Sequence, residues 1–103
     1  MTKNTDKLVT LERIHERAKV MKAMAHPSRL MIIDELGHGE RCVCDLQELV
    51  GHDMSTVSKH LKVLKDSGIV KDERRGKQIF YTLRVPCILK FFHCIESVID
   101  AHN

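Results

Sequence analysis

Apolar side chains recur at three- and four-residue steps from Leu11 through Ile14, Ala18, Met21 and Ala25. That spacing marks one face of a helix, with Thr10 as its N-cap. Pro27 disfavours helical geometry at His26 and suits the first turn of a second helix, which His26 is placed to cap. The second helix carries Leu30, Met31, Ile33 and Leu36 and is expected to end at Gly37, with His38 to Arg41 as a linker. A short third helix follows from about Asp45 to Val50, then a turn at Gly51-His52-Asp53. A fourth helix is expected from about Ser55 to Asp66, stopping near Ser67-Gly68. Ile69 to Arg74 is strand-like, Arg75-Gly76-Lys77 forms a hairpin tip, and Gln78 to Leu83 is rich in β-favouring types. Pro86 opens a last helix with Ile88, Leu89, Phe91, Phe92, Ile95, Val98 and Ile99 to bury. Residues 1 to 8 are polar and expected to fray.

A helix pair joined by a tight turn and followed by a basic hairpin is the pattern of a winged helix-turn-helix. The expected fold is mainly α with a β-hairpin wing, in one domain spanning residues 1–103. Composition agrees: 43% of the 103 residues are apolar, enough for one modest core and too many for a disordered tail. No apolar run approaches the roughly 18 to 20 residues of a membrane span. The first ten residues, MTKNTDKLVT, lack the apolar stretch of a signal peptide. A cytoplasmic location without a membrane partner is therefore expected.

Charge singles out one region. Ser55 to Lys77 holds seven basic and three acidic residues, so this window nets +4 in a chain of net +3. A basic window on a nearly neutral scaffold suits a polyanion, and its structural alternative is a solvated charged helix. On the fourth helix Val57, Leu61 and Leu64 fall on one stripe, while Ser55, Lys59, Lys62 and Asp66 lie opposite. Hydroxyls bond base donors or acceptors, and lysines neutralise phosphate. Ser55, Thr56, Ser58 and Lys59, near the helix start, are the expected base readers of double-stranded DNA, and Lys62 a backbone contact. Ser55 can alternatively cap the helix. Arg74, Arg75 and Lys77 at the hairpin tip are expected to reach phosphate or the minor groove. The last helix is apolar nearly all round, which argues for a homodimer through the terminal helices. A two-fold dimer would set two reading helices roughly 34 Å apart.

Cys42, Cys44, Cys87 and Cys94 complete the candidate chemistry. In a reducing compartment, closely spaced thiols point to a metal or redox site rather than a disulfide frame. The string Glu40-Arg41-Cys42-Val43-Cys44-Asp45-Leu46, with Ser55-Thr56-Val57-Ser58-Lys59-His60-Leu61, Leu64, Gly68 and the Arg75-Gly76-Lys77 wing, closely resembles the ArsR/SmtB family of metal-responsive repressors. The resemblance covers roughly Met21 to Leu83, and the C-V-C-D-L string is similar to the thiol motif of the arsenic- and antimony-sensing and cadmium- and lead-sensing branches. It implies a homodimer that represses in the apo form, with no cofactor on DNA, and releases its operator when a soft ion binds Cys42 and Cys44. Arsenite or antimonite, As(III) or Sb(III), is the expected inducer; cadmium, lead or zinc are alternatives. The sequence departs from the family's patterns in three places. Gln47 stands where the arsenic branch has a third cysteine. Residues 1 to 20 lack the extra cysteines of the cadmium branch. Val85, Pro86 and Cys87 do not match the start of the zinc-type site on the last helix.

Side chains two apart on a regular helix point about 200° apart, so Cys42 and Cys44 can chelate only from an extended or distorted segment. Helix N-terminal amides would lower their thiol pKa. Their structural alternative is a pair of small, buried apolar residues. Cys87 and Cys94 lie about 10 Å apart along a helix, too far to share one ion, so at most one of them completes a site with Cys42 and Cys44. Each fits better as a buried dimer-core residue. His15, His38, His52, His93 and His102 show no ligand spacing, and His60 is expected to flank the reading helix. A redox sensor, with Cys42 or Cys44 forming a disulfide or persulfide, is the rival function. No nucleophile–base–orienter set and no phosphate loop can be assembled, so no catalysis is expected.

Overall fold

A computed structural model describes residues 9–102; the expected fraying of residues 1 to 8 lies outside them. Five helices and three strands follow one another as α1 (Leu11–Met24), α2 (Pro27–Leu36), β1 (Arg41–Cys42), α3 (Val43–Val50), α4 (Met54–Asp66), β2 (Val70–Arg75), β3 (Gln78–Leu83) and α5 (Ile88–His102). The N-caps of α1 and α2 are those expected. Thr10 accepts from Arg13 N at 3.1 Å, and His26 Nδ1 accepts from Ser28 N at 3.0 Å with Pro27 in the first turn of α2. No helix among the described residues is long and apolar enough to cross a membrane.

Four boundaries differ from expectation, each for a local reason. Arg41 is not linker: Arg41 and Cys42 form a third strand, antiparallel to β3, in register with Tyr81 and Phe80. The sheet order is β1-β3-β2, so the hairpin gains a short outer strand too brief to show a hydrophobic period. The third helix starts two residues early, at Val43, because the chain turns directly from strand into helix. The fourth begins at Met54 and is capped by Asp53 rather than Ser55. The last begins at Ile88, since Pro86 and Cys87 form the turn before it.

Glycine positions divide into two kinds. Gly51, after α3, has φ +80° and makes the left-handed turn into α4. Gly37 ends α2 in an ordinary right-handed conformation and is needed for space instead. A Cβ there would lie 2.6 Å from Leu89 Cδ1 and 3.0 Å from the Asp34 carbonyl, so the Leu89 side chain would have to shift.

The core gathers Ala23 and Met24 of α1, Ile32, Ile33 and Leu36 of α2, Leu46 of α3, Val57, Leu61 and Leu64 of α4, and Ile69, Val70 and Tyr81 around the sheet. The α4 stripe expected from the sequence is thus fully buried. His60 joins it: the residue expected to flank α4 is 8% exposed. Its ring lies 4.5 Å from that of His26, and its Nδ1 accepts from Arg29 Nε at 3.1 Å. Arg29 Nη1 also donates to the Ala23 carbonyl at 3.1 Å, so one guanidinium ties α1, α2 and α4 together.

Burial, then the nearby His26 and Arg29, pushes the His60 pKa down from its ordinary value. Below the usual imidazole value of about 6.5, the unfolded chain takes up a proton that folded His60 resists. The unfolded state then holds more protons, so stability rises with pH across this range, is complete above it, and is lost as pH falls towards the depressed folded value. Melting temperature should fall on acidification from about pH 7 to about pH 5. His60→Gln keeps an acceptor for Arg29 and should flatten that fall; an unchanged profile would assign it to another group.

Candidate functional site

The start of α4 is held by one carboxylate. Asp53 Oδ1 accepts from the Thr56 hydroxyl at 2.6 Å and Asp53 Oδ2 from Thr56 N at 3.3 Å. Those hydrogen bonds hold the Asp53 carboxyl below its usual range. Ser55, Ser58, Lys59 and Lys62 are exposed along the outer face, as their spacing on the helix predicts. Thr56 is half-buried, and its hydroxyl proton is committed to the cap. It is therefore a poorer candidate donor to a base than its neighbours. Lys62 Nζ reaches Asp66 at 3.0 Å, an exposed pair one helical turn apart that costs little to exchange for phosphate. Lys65 bonds Asp72 at 3.1 Å and joins α4 to β2, which sets the wing beside the helix.

At the wing, Arg74 and Lys77 are exposed. Arg75 departs from its expected outward reach. It is the last residue of β2, opposite Gln78, and the tip is Gly76-Lys77, with Gly76 at φ +64°. Its guanidinium forks onto Glu40 at 2.8 and 2.6 Å, bonds Glu73 at 2.8 Å, and lies 4.6 Å over the Phe80 ring. Arg75 holds the Glu40 carboxyl below its usual range. Sequence spacing could not reveal this pair, because Glu40 lies 35 positions away.

The thiols occupy the β1–α3 junction. Cys42 is extended (φ −80°, ψ 161°), half-buried, and stands at the N-cap position; its sulfur makes no cap hydrogen bond among the described residues. Cys44 is exposed in the first turn of α3, and its Sγ donates to Gln78 Oε1 at 3.9 Å. Strand geometry on one side and helix on the other removes the 200° divergence that a continuous helix would impose. The direction of the Cys44 pKa corrects the expectation. It is raised, first by desolvation, then by the Cys42 thiol beside it and the charge of Asp45, and these outweigh the backbone hydrogen bond that favours the thiolate. Cys87 and Cys94, expected in a dimer core, are exposed on the single protomer. No group of three or more His, Cys, Asp or Glu side chains gathers into a metal cage among the described residues.

A basic helix face beside a wing, on this order of elements, is matched elsewhere. Residues 26–72 match the family described as bacterial regulatory protein, arsR family. A homodimeric winged helix-turn-helix DNA-binding domain from Mycobacterium bovis, a possible ArsR-family regulator, superposes with a TM-score of 0.75 at 32% identity, covering 86% of this chain and 82% of that one. The chain belongs to the ArsR family. Its similarity extends to a biofilm growth-associated repressor of Xylella fastidiosa, 43% identical over 72 residues. That stretch is 70% of this chain, which spans 63% of that relative's length. The structure of an antimony-specific transcriptional repressor is similar too, with a TM-score of 0.77 and 30% identity over 92% of this chain and 86% of that one. The resemblance read from the thiol string and the reading helix is thus met at the level of the family, not of its arsenic-sensing branch. These relatives are regulators rather than enzymes, as expected.

Proposed function

We propose that the chain is a homodimeric transcriptional repressor that binds operator DNA through α4 and the wing and releases it when Cys42 and Cys44 take up a soft ion. One observation carries the DNA-binding reading: α4 buries Val57, Leu61 and Leu64 while Ser55, Ser58, Lys59 and Lys62 stay exposed beside Arg74 and Lys77. Hydroxyls near the helix start read base edges, and the cations neutralise phosphate. Thr56 positions the helix through its cap. Arg75 reaches phosphate only after leaving its carboxylates.

Dimerisation is supported by apolar surface at both ends of the chain. None of the described α5 residues is fully buried, and Ile95, Val98 and Ile99 are exposed, as are Leu11, Ile14 and Met21 of α1. The M. bovis relative is described as homodimeric.

For the inducer, two thiols at a strand–helix junction favour arsenite or antimonite, because thiolates suit soft ions and the antimony-specific repressor shares the fold. Cadmium, lead and zinc are the further ions to compare. A second reading, thiol oxidation to a disulfide or persulfide, is favoured by the absence of a third side-chain ligand among the described residues.

Lys62→Ala should weaken binding to all duplexes alike and flatten the salt slope by about one unit; a loss confined to operator DNA would make Lys62 a base reader. Val98→Glu combined with Ile99→Glu should leave the protomer folded and halve its mass by light scattering. Cys42→Ser and Cys44→Ser should each bind operator normally and lose ion-driven release, a coupling of about 1–3 kcal/mol. Fluorescence anisotropy with arsenite, antimonite, cadmium and peroxide in parallel distinguishes the ions from oxidation. Unimpaired release in the double serine variant would remove the switch from this junction.

A further inference from the structure

Two carboxylates converge on a wing arginine that DNA would otherwise claim. Glu40 takes both outer nitrogens of Arg75 and Glu73 shares one of them, so the guanidinium is turned inward although its side chain remains 45% exposed. We propose that Glu40 is a latch on the wing: it withholds Arg75 in the free protein, and on DNA Arg75 exchanges this carboxylate for a backbone phosphate. The inference rests on the DNA-binding reading above and adds to it a positioning residue outside the helix and wing.

The chemistry of exchange is favourable. A guanidinium fork fits phosphate oxygens as it fits a carboxylate. The Glu40–Arg75 pair lies at the surface, with the Glu40 side chain 35% exposed, so opening it leaves no buried charge unpaired. Phe80 beneath the guanidinium provides a flat apolar support that need not move. The latch also alters the charge the wing presents. With Glu40 folded onto it, the cluster of Glu40, Glu73 and Arg75 carries two negative charges and one positive, where the primary sequence suggests a basic tip.

Position gives Glu40 its interest. It lies two residues before Cys42, and Cys42 is in register with Phe80, the residue that supports Arg75. The acid that restrains the wing is therefore continuous with the thiol-bearing strand. The competing possibility is a static brace, in which Glu40 spans β3 to fasten the edge of β2 and has no influence on DNA beyond keeping the sheet in order.

Latch and brace predict opposite results. Binding of the full chain to a mixed-sequence duplex of about two helical turns is measured by anisotropy over a range of salt, for wild type, Glu40→Gln, Arg75→Ala and the double variant. A latch makes Glu40→Gln bind about two- to fivefold tighter, the scale of an exposed ion pair, with a salt slope steeper by up to about one unit. Arg75→Ala should then cost more in the Glu40→Gln background than in wild type. Equal cost in both backgrounds would reduce Glu40 to a general negative charge, and unchanged or weaker binding by Glu40→Gln would make it a brace; either overturns the latch alone. Absence of salt-dependent binding by wild type, with no further effect of Lys59→Ala, overturns the latch together with the DNA-binding reading.

Discussion

The burial of three side chains on one side of α4 is the constraint on which the rest depends. Val57, Leu61 and Leu64 are at most 1% exposed, and together they fix both the rotation and the depth of the helix. Each contributes about 1.5–3 kcal/mol on burial, so turning the helix by one residue is prohibitive. The serines and lysines on its other side have no freedom to face inward. A surface suited to DNA is thus produced by the core rather than by interactions among the surface residues themselves. Arg29 adds a polar constraint to the same packing, because its guanidinium satisfies His60 of α4 and a carbonyl at the end of α1 from a position on α2. Loss of that clamp would leave a buried imidazole nitrogen without a donor.

The core explains rather less of the wing and α5. The wing is attached through backbone pairing and exposed ion pairs, which are weak individually and rearrange at little cost. The last helix rests on α2 at Gly37, where the missing Cβ admits Leu89, yet presents Ile95, Val98 and Ile99 outward. None of the other described residues covers that apolar surface, which suits a second protomer.

Much of this arrangement is legible in the sequence, and the exceptions share a physical cause. Periodicity locates α1, α4 and α5, α2 is bracketed by Pro27 and Gly37, and Thr10, His26 and Pro27 mark helix starts through short-range chemistry. Two-residue β1 has no period to read, and its pairing with Phe80 and Tyr81 depends on residues about forty positions away. The same holds for Glu40 and Arg75. Asp53 was legible: an aspartate three residues before Thr56 is a usual cap, whereas the hydroxyl of Ser55 lies two residues too far in. His60 was hidden by its polarity, since the stripe of Val57, Leu61 and Leu64 already places position 60 beside the core. Cys44 shows a different failure. The helix terminus does favour a thiolate, but desolvation and a second thiol in contact outweigh it, and that balance requires the fold.

The connections of the β1–α3 junction suit the proposed switch. β1 has two residues, the fewest backbone bonds of any strand here, so it is the least costly part of the sheet to displace. It is also connected in two directions. Towards the C-terminus it runs without a linker into α3, whose Leu46 is fully buried and whose end at Gly51 sets the turn into α4. Across the sheet it pairs with β3, the strand shared with the wing, while Cys44 meets Gln78 at the start of that strand. Drawing Cys42 and Cys44 together would change backbone dihedrals at the β1–α3 junction, where Cys42 is extended and Val43 begins the helix. On the proposed reading, a change at this junction would reach α4 through α3 and the wing through the β1–β3 pair. A thiol pair placed in the middle of α4 would distort the reading face directly, but it would disturb the buried stripe that keeps the apo protein folded. At the β1–α3 junction the strain would fall first on the two-residue strand rather than on the buried stripe of α4.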